Sequence, residues 1–252
     1  MNFDINAFPE GVNVNVRYLN AMDWMYGVQI KPTLPLYYLG SSSIICIDFS
    51  DFDMSQVTTL IAVDDERRFV WPPEKQNVII DMPLLTNVSG GRFQFYKAPV
   101  DSVLTFNLDN CNYMNYLLYN SEGIKKVIVN SNVKPTYLNY PAGYVFGCKE
   151  LYLNFDCSSL STVNIASNRT ETVTYFSGFP NLKKSITSKG LEMMPNLTYD
   201  SCISVMENLY DFTGNGQTPT SSQGKLKVHA NFLTAVGDAI SIATNKGWTV
   251  TT

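Results

Sequence analysis

Apolar and polar residues alternate in short runs along most of this chain. Val12-Asn13-Val14-Asn15-Val16 is the cleanest case, with the period of two that a half-buried strand requires. Residues 26–30, 34–39, 43–49 and 58–63 give further short strand patterns, punctuated by Pro9, Pro32 and Pro35. At Trp71-Pro72-Pro73 the pattern breaks, because consecutive prolines do not fit inside a central strand. These signals predict a small β-rich N-terminal docking domain over residues 1–75.

Beyond that point the pattern repeats. Apolar triplets recur about every 24 residues at Val78-Ile79-Ile80, Val103-Leu104-Thr105, Val127-Ile128-Val129 and Leu151-Tyr152-Leu153, with a shorter step to Val173-Thr174-Tyr175. Two repeats also agree locally: Gly123-Ile124-Lys125-Lys126-Val127-Ile128-Val129-Asn130 and Gly147-Cys148-Lys149-Glu150-Leu151-Tyr152-Leu153-Asn154. The closing Asn is expected to satisfy open backbone groups at the turn after each strand. A second short strand per repeat is expected at 93–96, 116–119 and 163–165. One such unit cannot bury its own apolar face, so the units must stack. The period falls in the leucine-rich-repeat range and exceeds the 8–12-residue strand spacing of a β-sandwich. Residues 76–190 are therefore expected to form a leucine-rich-repeat-like solenoid.

From about residue 191 the period changes from strand to helix. Cys202, Ile203, Met206, Leu209 and Tyr210 have helical spacing, and Thr213-Gly214-Asn215-Gly216 is expected to stop that helix. Residues 225–228 form a short strand. Leu233, Val236, Ile240 and Ala243 form the stripe of a second helix, ended by Lys246-Gly247, before Trp248-Thr249-Val250 returns as a strand. An α/β module over 191–252 is placed to cap the last repeat, whose apolar edge is otherwise exposed. The predicted fold class is mainly β with an α/β C-terminal cap.

This C-terminal stretch resembles a known family. Leu197-Thr198-Tyr199-Asp200-Ser201, Met206-Glu207-Asn208-Leu209-Tyr210-Asp211-Phe212-Thr213-Gly214 and Ala243-Thr244-Asn245-Lys246-Gly247-Trp248-Thr249 are similar to the terminal module of BspA-like leucine-rich-repeat proteins. Such proteins occur on the surface of gut anaerobes and in virions of their phages, the crAss-like group among them. The resemblance covers residues 76–252. It implies a right-handed solenoid used for attachment and brings no catalytic residues.

Composition narrows the function. Hydrophobic residues make up 45% and charged residues 16% of the chain, which describes a folded chain and not a disordered one. Net charge is −4, so nucleic acid is not an expected partner. The opening segment has neither a basic nor an apolar signal region, and no long apolar run suggests a membrane span. Cys46, Cys111, Cys148, Cys157 and Cys202 are an odd set without C-x-x-C spacing, so they read as buried small hydrophobes.

Candidate chemistry is sparse. His229 is the one histidine, and every Ser/His or Cys/His arrangement would depend on it. Asp48, Asp51 and Asp53 have a loose calcium-like spacing without the glycine and terminal glutamate of an EF-hand loop. Asp64-Asp65-Glu66 with Arg67-Arg68 reads as a self-paired surface turn. Acids that could pair for glycoside hydrolysis are few in the repeats: Asp81, Asp101, Asp109, Glu122, Glu150, Asp156 and Glu171. No enzyme activity, cofactor or metal is expected. Aromatics crowd the repeats instead, and Tyr113, Tyr116, Tyr119, Tyr137, Tyr140, Tyr152 and Tyr175 are the candidate binding surface, since Tyr carries an apolar face and a polar tip.

The expectation is a phage virion structural protein, a tail or head attachment or decoration protein made in the host cytoplasm. Its partners would be capsid, neck or tail proteins through the N-terminal domain and a host-surface protein or glycan through the repeats. A homo-oligomer is compatible with this reading. The alternatives are a bacterial cell-surface adhesin and a polysaccharide-cleaving tailspike.

Overall fold

The computed structural model describes residues 44–46, 59–61, 67–71, 75–89, 93–96, 98–118, 121–142, 145–167, 170–235 and 237–252. Most of its elements are short strands. With strands numbered in chain order, the first sheet holds β4 (Asn77–Asp81), β7 (Ser102–Asn107), β10 (Ile124–Asn130), β13 (Glu150–Asn154) and β15 (Tyr175–Phe176), side by side in that order. The second holds β2 (Thr59–Ile61), β5 (Asn87–Ser89), β8 (Tyr113–Asn115), β11 (Tyr137–Asn139) and β14 (Thr162–Asn164). A third joins β1 (Ile44–Cys46), β3 (Arg67–Val70) and β6 (Phe93–Tyr96), while β9 (Ser121–Glu122) pairs with β12 (Val145–Phe146). All these pairings are parallel, which separates the fold from the antiparallel sandwich.

The register explains why the sequence folds this way. On the first sheet Val78, Leu104, Val127, Leu151 and Phe176 align across the strands, and all five are buried. Ile80, Phe106, Val129 and Leu153 form a second inward column. Val88, Met114, Leu138 and Val163 do the same on the second sheet. These columns belong to one continuous core. Each such side chain contributes roughly 1.5–3 kcal/mol on burial, and a one-residue slip would turn its strand's apolar set outward.

Polar columns run beside the apolar ones. Asn154 Nδ2 donates to Asn130 Oδ1 at 2.9 Å, and Asn130 Nδ2 donates to Asn107 Oδ1 at 2.8 Å. On the second sheet Asn164 Nδ2 donates to Asn139 Oδ1 at 2.9 Å, and Asn139 Nδ2 donates to Asn115 Oδ1 at 2.7 Å. The strand-closing asparagines were expected to serve backbone groups. These amides bond one another instead, because parallel in-register strands bring identical side chains within reach. Asn110 follows the expected mode, donating to the Pro83 carbonyl.

After β15 the next strand is replaced by helix α1 (Tyr199–Asn208). Thr198 caps it, accepting from the Ser201 amide at 3.3 Å. Buried Ser201 Oγ then accepts from Phe176 N at 2.8 Å and donates to Phe176 O at 3.1 Å. Ser204 Oγ and Asn208 Nδ2 both donate to the Ser177 carbonyl. Side chains on one helix thus supply bonds that a further strand would give, so the sheet does not end in an open edge. Gly178, at φ 96, permits the approach: a Cβ there would lie 2.9 Å from Val205 Cα.

The remaining elements are α2 (Ala230–Ala235), α3 (Gly237–Asn245) and the parallel pair β16 (Lys225–Lys227) and β17 (Thr249–Thr251). Gly247, at φ 87, ends α3 as expected. By its place at the end of α3, Lys246 would complement the dipole of its own helix. Its Nζ instead donates to the Glu207 and Leu209 carbonyls, at and beyond the end of α1. Trp248 Nε1 donates to Tyr210 O at 2.9 Å. The Asn-Lys-Gly-Trp motif therefore clamps two elements together.

Other expectations shift. Strands on either side of residue 75 share sheets, since β2 pairs with β5 and β3 with β6, so the break at Trp71-Pro72-Pro73 does not separate sheets. Trp71 is buried against Phe95 and donates to the Lys75 carbonyl. Arg67 and Arg68 lie in β3 and not in a surface turn. The expected second strands at 93–96 and 163–165 are β6 and β14, the latter one residue earlier, whereas the one expected at 116–119 is β8, three residues earlier, with Leu118 only bridging to Phe93; β5 and β11 are additional strands. The last triplet is displaced as well. A 3-10 turn at Thr170–Thr172 takes up chain, and Tyr175 and Phe176 pair with Glu150 and Leu151. Helix α1 stops at Asn208 with Leu209 extended, before the Thr213-Gly214 turn. The second helix is described over Ala230–Ala235 and Gly237–Asn245, and residue 236 between them lies outside the described residues. The strand patterns at 12–16, 26–30 and 34–39, and Asp48, Asp51, Asp53 and residues 64–66, lie outside the described residues.

Two outcomes are expected. Asn139→Ala removes one donor and one acceptor at a position only 7% exposed and should lower the urea-unfolding free energy by about 2 kcal/mol. Lys246→Met should cost about 1–3 kcal/mol by uncapping carbonyls at the end of α1, visible as a lower thermal midpoint, whereas Lys227→Met should leave it unchanged.

Candidate binding surface

Tyr113 and Tyr137 face outward because Met114 and Leu138, their neighbours in β8 and β11, point into the core. They are register partners, and their rings stack with centroids 4.1 Å apart and planes 14° apart. Asn87 and Thr162 extend that outward row on either side. Beside it runs the Asn115-Asn139-Asn164 column. Burial, together with the bond to Tyr113, pushes the Tyr137 phenol above its ordinary pKa.

Tyr116 and Tyr140 follow the same two strands in left-handed conformations, at φ 53 and 48. Their amides donate to Asn139 O and Asn164 O, so the unusual backbone is held by the next strand. Their rings lie 5.3 Å apart. Tyr140 is only 7% exposed, and Lys189 Nζ sits 5.6 Å from its ring centre. Tyr140 therefore presents almost no face to a partner.

Tyr152 and Tyr175 belong to the first sheet, with ring centres 5.2 Å apart. Lys126 Nζ lies 4.2 Å from the centre of the Tyr152 ring and pairs with Glu150 at 3.6 Å. The Tyr152 hydroxyl donates to Glu150 Oε2 at 3.1 Å. Burial, then the Glu150 charge and hydrogen bond, push the Tyr152 phenol up to about 12. Tyr152 also continues an outward row through Ile128, Thr105 and Ile79, of which Ile79 is 56% exposed. Tyr119 lies outside the described residues.

The six described tyrosines are thus not one cluster. One stacked and one tilted pair accompany the second sheet, and one tilted pair the first. Reading tyrosines alone missed their polar companions: the two asparagine columns, Lys126 and Glu150. The signal was present, because Asn115, Asn139 and Asn164 recur at the repeat spacing.

The other chemistry-bearing residues have structural surroundings. His229 Nδ1 accepts from the Asn231 amide at the start of α2. Asp101 pairs with Lys125 at 3.0 Å and Asp156 with Lys134 at 2.9 Å. Burial raises the Asp156 carboxyl, but the Ser158 bonds and Lys134 outweigh it and hold the group below its usual range. Cys111, Cys148, Cys157 and Cys202 are free thiols in the core, and burial drives Cys111 up to about 11 and Cys148 up to about 12, away from the reactive thiolate. Among the described residues no group of three or more His, Cys, Asp or Glu is placed to hold a metal ion, and no helix is long and apolar enough to cross a membrane. Comparison with protein-family models, curated proteins and solved structures returns no match.

The Tyr152 arrangement has a pH signature. A phenol raised in the folded state stabilises the fold below the unfolded tyrosine pKa of about 10. That contribution should be lost as pH rises from about 10 through about 12. Glu150→Gln should lower the Tyr152 midpoint in an ultraviolet titration while burial keeps it above 10, and should reduce the alkaline loss of stability.

Proposed function

We propose that this chain is a non-enzymatic binding module, built as a leucine-rich-repeat-like solenoid, and that it serves as an attachment or decoration protein of a phage particle. The observation that carries the binding reading is the stacked Tyr113-Tyr137 pair beside the Asn115-Asn139-Asn164 column. A rigid strand surface there offers stacked apolar rings at fixed spacing, while the amide column, with Asn139 only 7% exposed, holds the register beside them. Ordered aromatic groups bind with little loss of side-chain freedom. The solenoid reading is supported by strands that pair with the strand one repeat away, in rotation among sheets. The virion reading rests on the resemblance of the terminal module to BspA-like proteins. The partner on the outward faces would be a host-surface protein or glycan.

Two measurements test this. Mass spectrometry of purified particles of the encoding phage should find the chain, and its absence there sinks the virion reading in favour of a cell-surface adhesin. Fluorescently labelled protein should bind intact host cells, and Tyr113→Ala with Tyr137→Ala should weaken that binding about tenfold or more, as loss of an aromatic anchor pair does. Equal binding by the double variant would remove this surface from consideration.

A further inference from the structure

We infer that the outward face of β16 and β17, with the chain through Ile186 beside them, is a second binding site that takes an acidic polysaccharide. Leu226 points into the core and is fully buried, so Lys225 and Lys227 face out. Lys225 pairs with Thr249 and Lys227 with Thr251 in the parallel register. On the other side Ile186 bridges Leu226 in the same direction, through Ile186 N to Lys225 O at 2.8 Å and Lys227 N to Ile186 O at 2.7 Å. This places Ser185 beside Lys225 and Thr187 beside Lys227. The result is two parallel rows, Ser185-Lys225-Thr249 and Thr187-Lys227-Thr251, each an ammonium flanked by two hydroxyls.

Three features point to the ligand. The ion pairs among the described residues involve Lys125, Lys126 and Lys134, and neither Lys225 nor Lys227 is in one. A pair of cations outside any ion pair of the described residues, on a chain of net charge −4, is a local counter-charge. Ser185 Oγ accepts from the Lys225 amide at 3.1 Å, which fixes that hydroxyl oxygen beside the Lys225 strand and leaves its O–H free to donate. Rows about 4.8 Å across and side chains about 7 Å apart along the strand suit a sugar chain with one carboxylate per residue or two and hydroxyls between. A nucleic acid fits less well: its charge is denser, and none of the six side chains is aromatic, so bases have nothing to stack on.

The site shares no residue with the tyrosine rows, so the two can fail separately. The whole chain is applied to gels or sensor surfaces carrying polygalacturonate, hyaluronan, dextran or a single-stranded oligodeoxynucleotide. Binding to at least one acidic glycan, weakened by salt, and none to neutral dextran is expected. Lys225→Gln with Lys227→Gln should reduce it about tenfold and Thr249→Val with Thr251→Val about threefold, with unchanged thermal midpoints, while Tyr113→Ala with Tyr137→Ala leaves it intact. The proposal is overturned if neither acidic glycan binds, if the lysine double variant binds as well as the native chain, if the tyrosine variant abolishes binding, or if the oligonucleotide binds more tightly.

Discussion

The parallel, in-register pairing of each strand with the strand one repeat away is the constraint on which everything else depends. Parallel strands at equal register align like with like. Apolar positions then become continuous inward columns, such as Val78 through Phe176, and polar positions become outward ones. The asparagine columns reinforce this alignment, because each inner amide donates to one neighbour and accepts from the other only while the strands stay in register. Inward packing supplies most of the stabilisation, while the amide columns penalise any slipped register that would leave them unpaired.

That constraint creates an end problem, which the C-terminal elements solve. A parallel sheet that ran on past β15 would present unpaired amides and carbonyls. Ser201, Ser204 and Asn208 meet those groups from a single helix face, and Thr198 fixes where that helix begins. Lys246 and Trp248 then tie the later elements to the end of the same helix. The terminal stretch departs from the repeat pattern because its task is to satisfy an edge rather than extend it.

The strongest strands were legible in the sequence. β4, β7, β10 and β13 carry alternating branched apolar residues at regular spacing, and that pattern suffices. β5, β8 and β11 were hard to see because Asn87-Val88-Ser89, Tyr113-Met114-Asn115 and Tyr137-Leu138-Asn139 each hold one inward apolar residue between polar neighbours. Their strand character comes from pairing with other repeats, which no local window contains. The displaced pairing at Tyr175 has the same origin, since the turn at Thr170–Thr172 alters the register without altering hydrophobicity. The tyrosines were recognisable as an aromatic set, but not their division among sheets. Tyr116 and Tyr140 share a repeat position, yet Tyr140 is buried with Lys189 near its ring, a contact made from about two repeat spacings further along the chain. Lys246 reads locally as an ordinary helix terminator, and only the packing shows that it serves a different helix.

The equal spacing of the strands also bears on how such a chain changes length. Asn130 and Asn154 stand 24 residues apart and make the same bond, as do Asn115 and Asn139. Excising or duplicating one such interval would therefore remove or add one strand in each of the two five-stranded sheets and keep their inward columns continuous. Each such step changes the width of those sheets by about 4.8 Å, one strand spacing, and changes which outward side chains stand beside one another while the core keeps its packing.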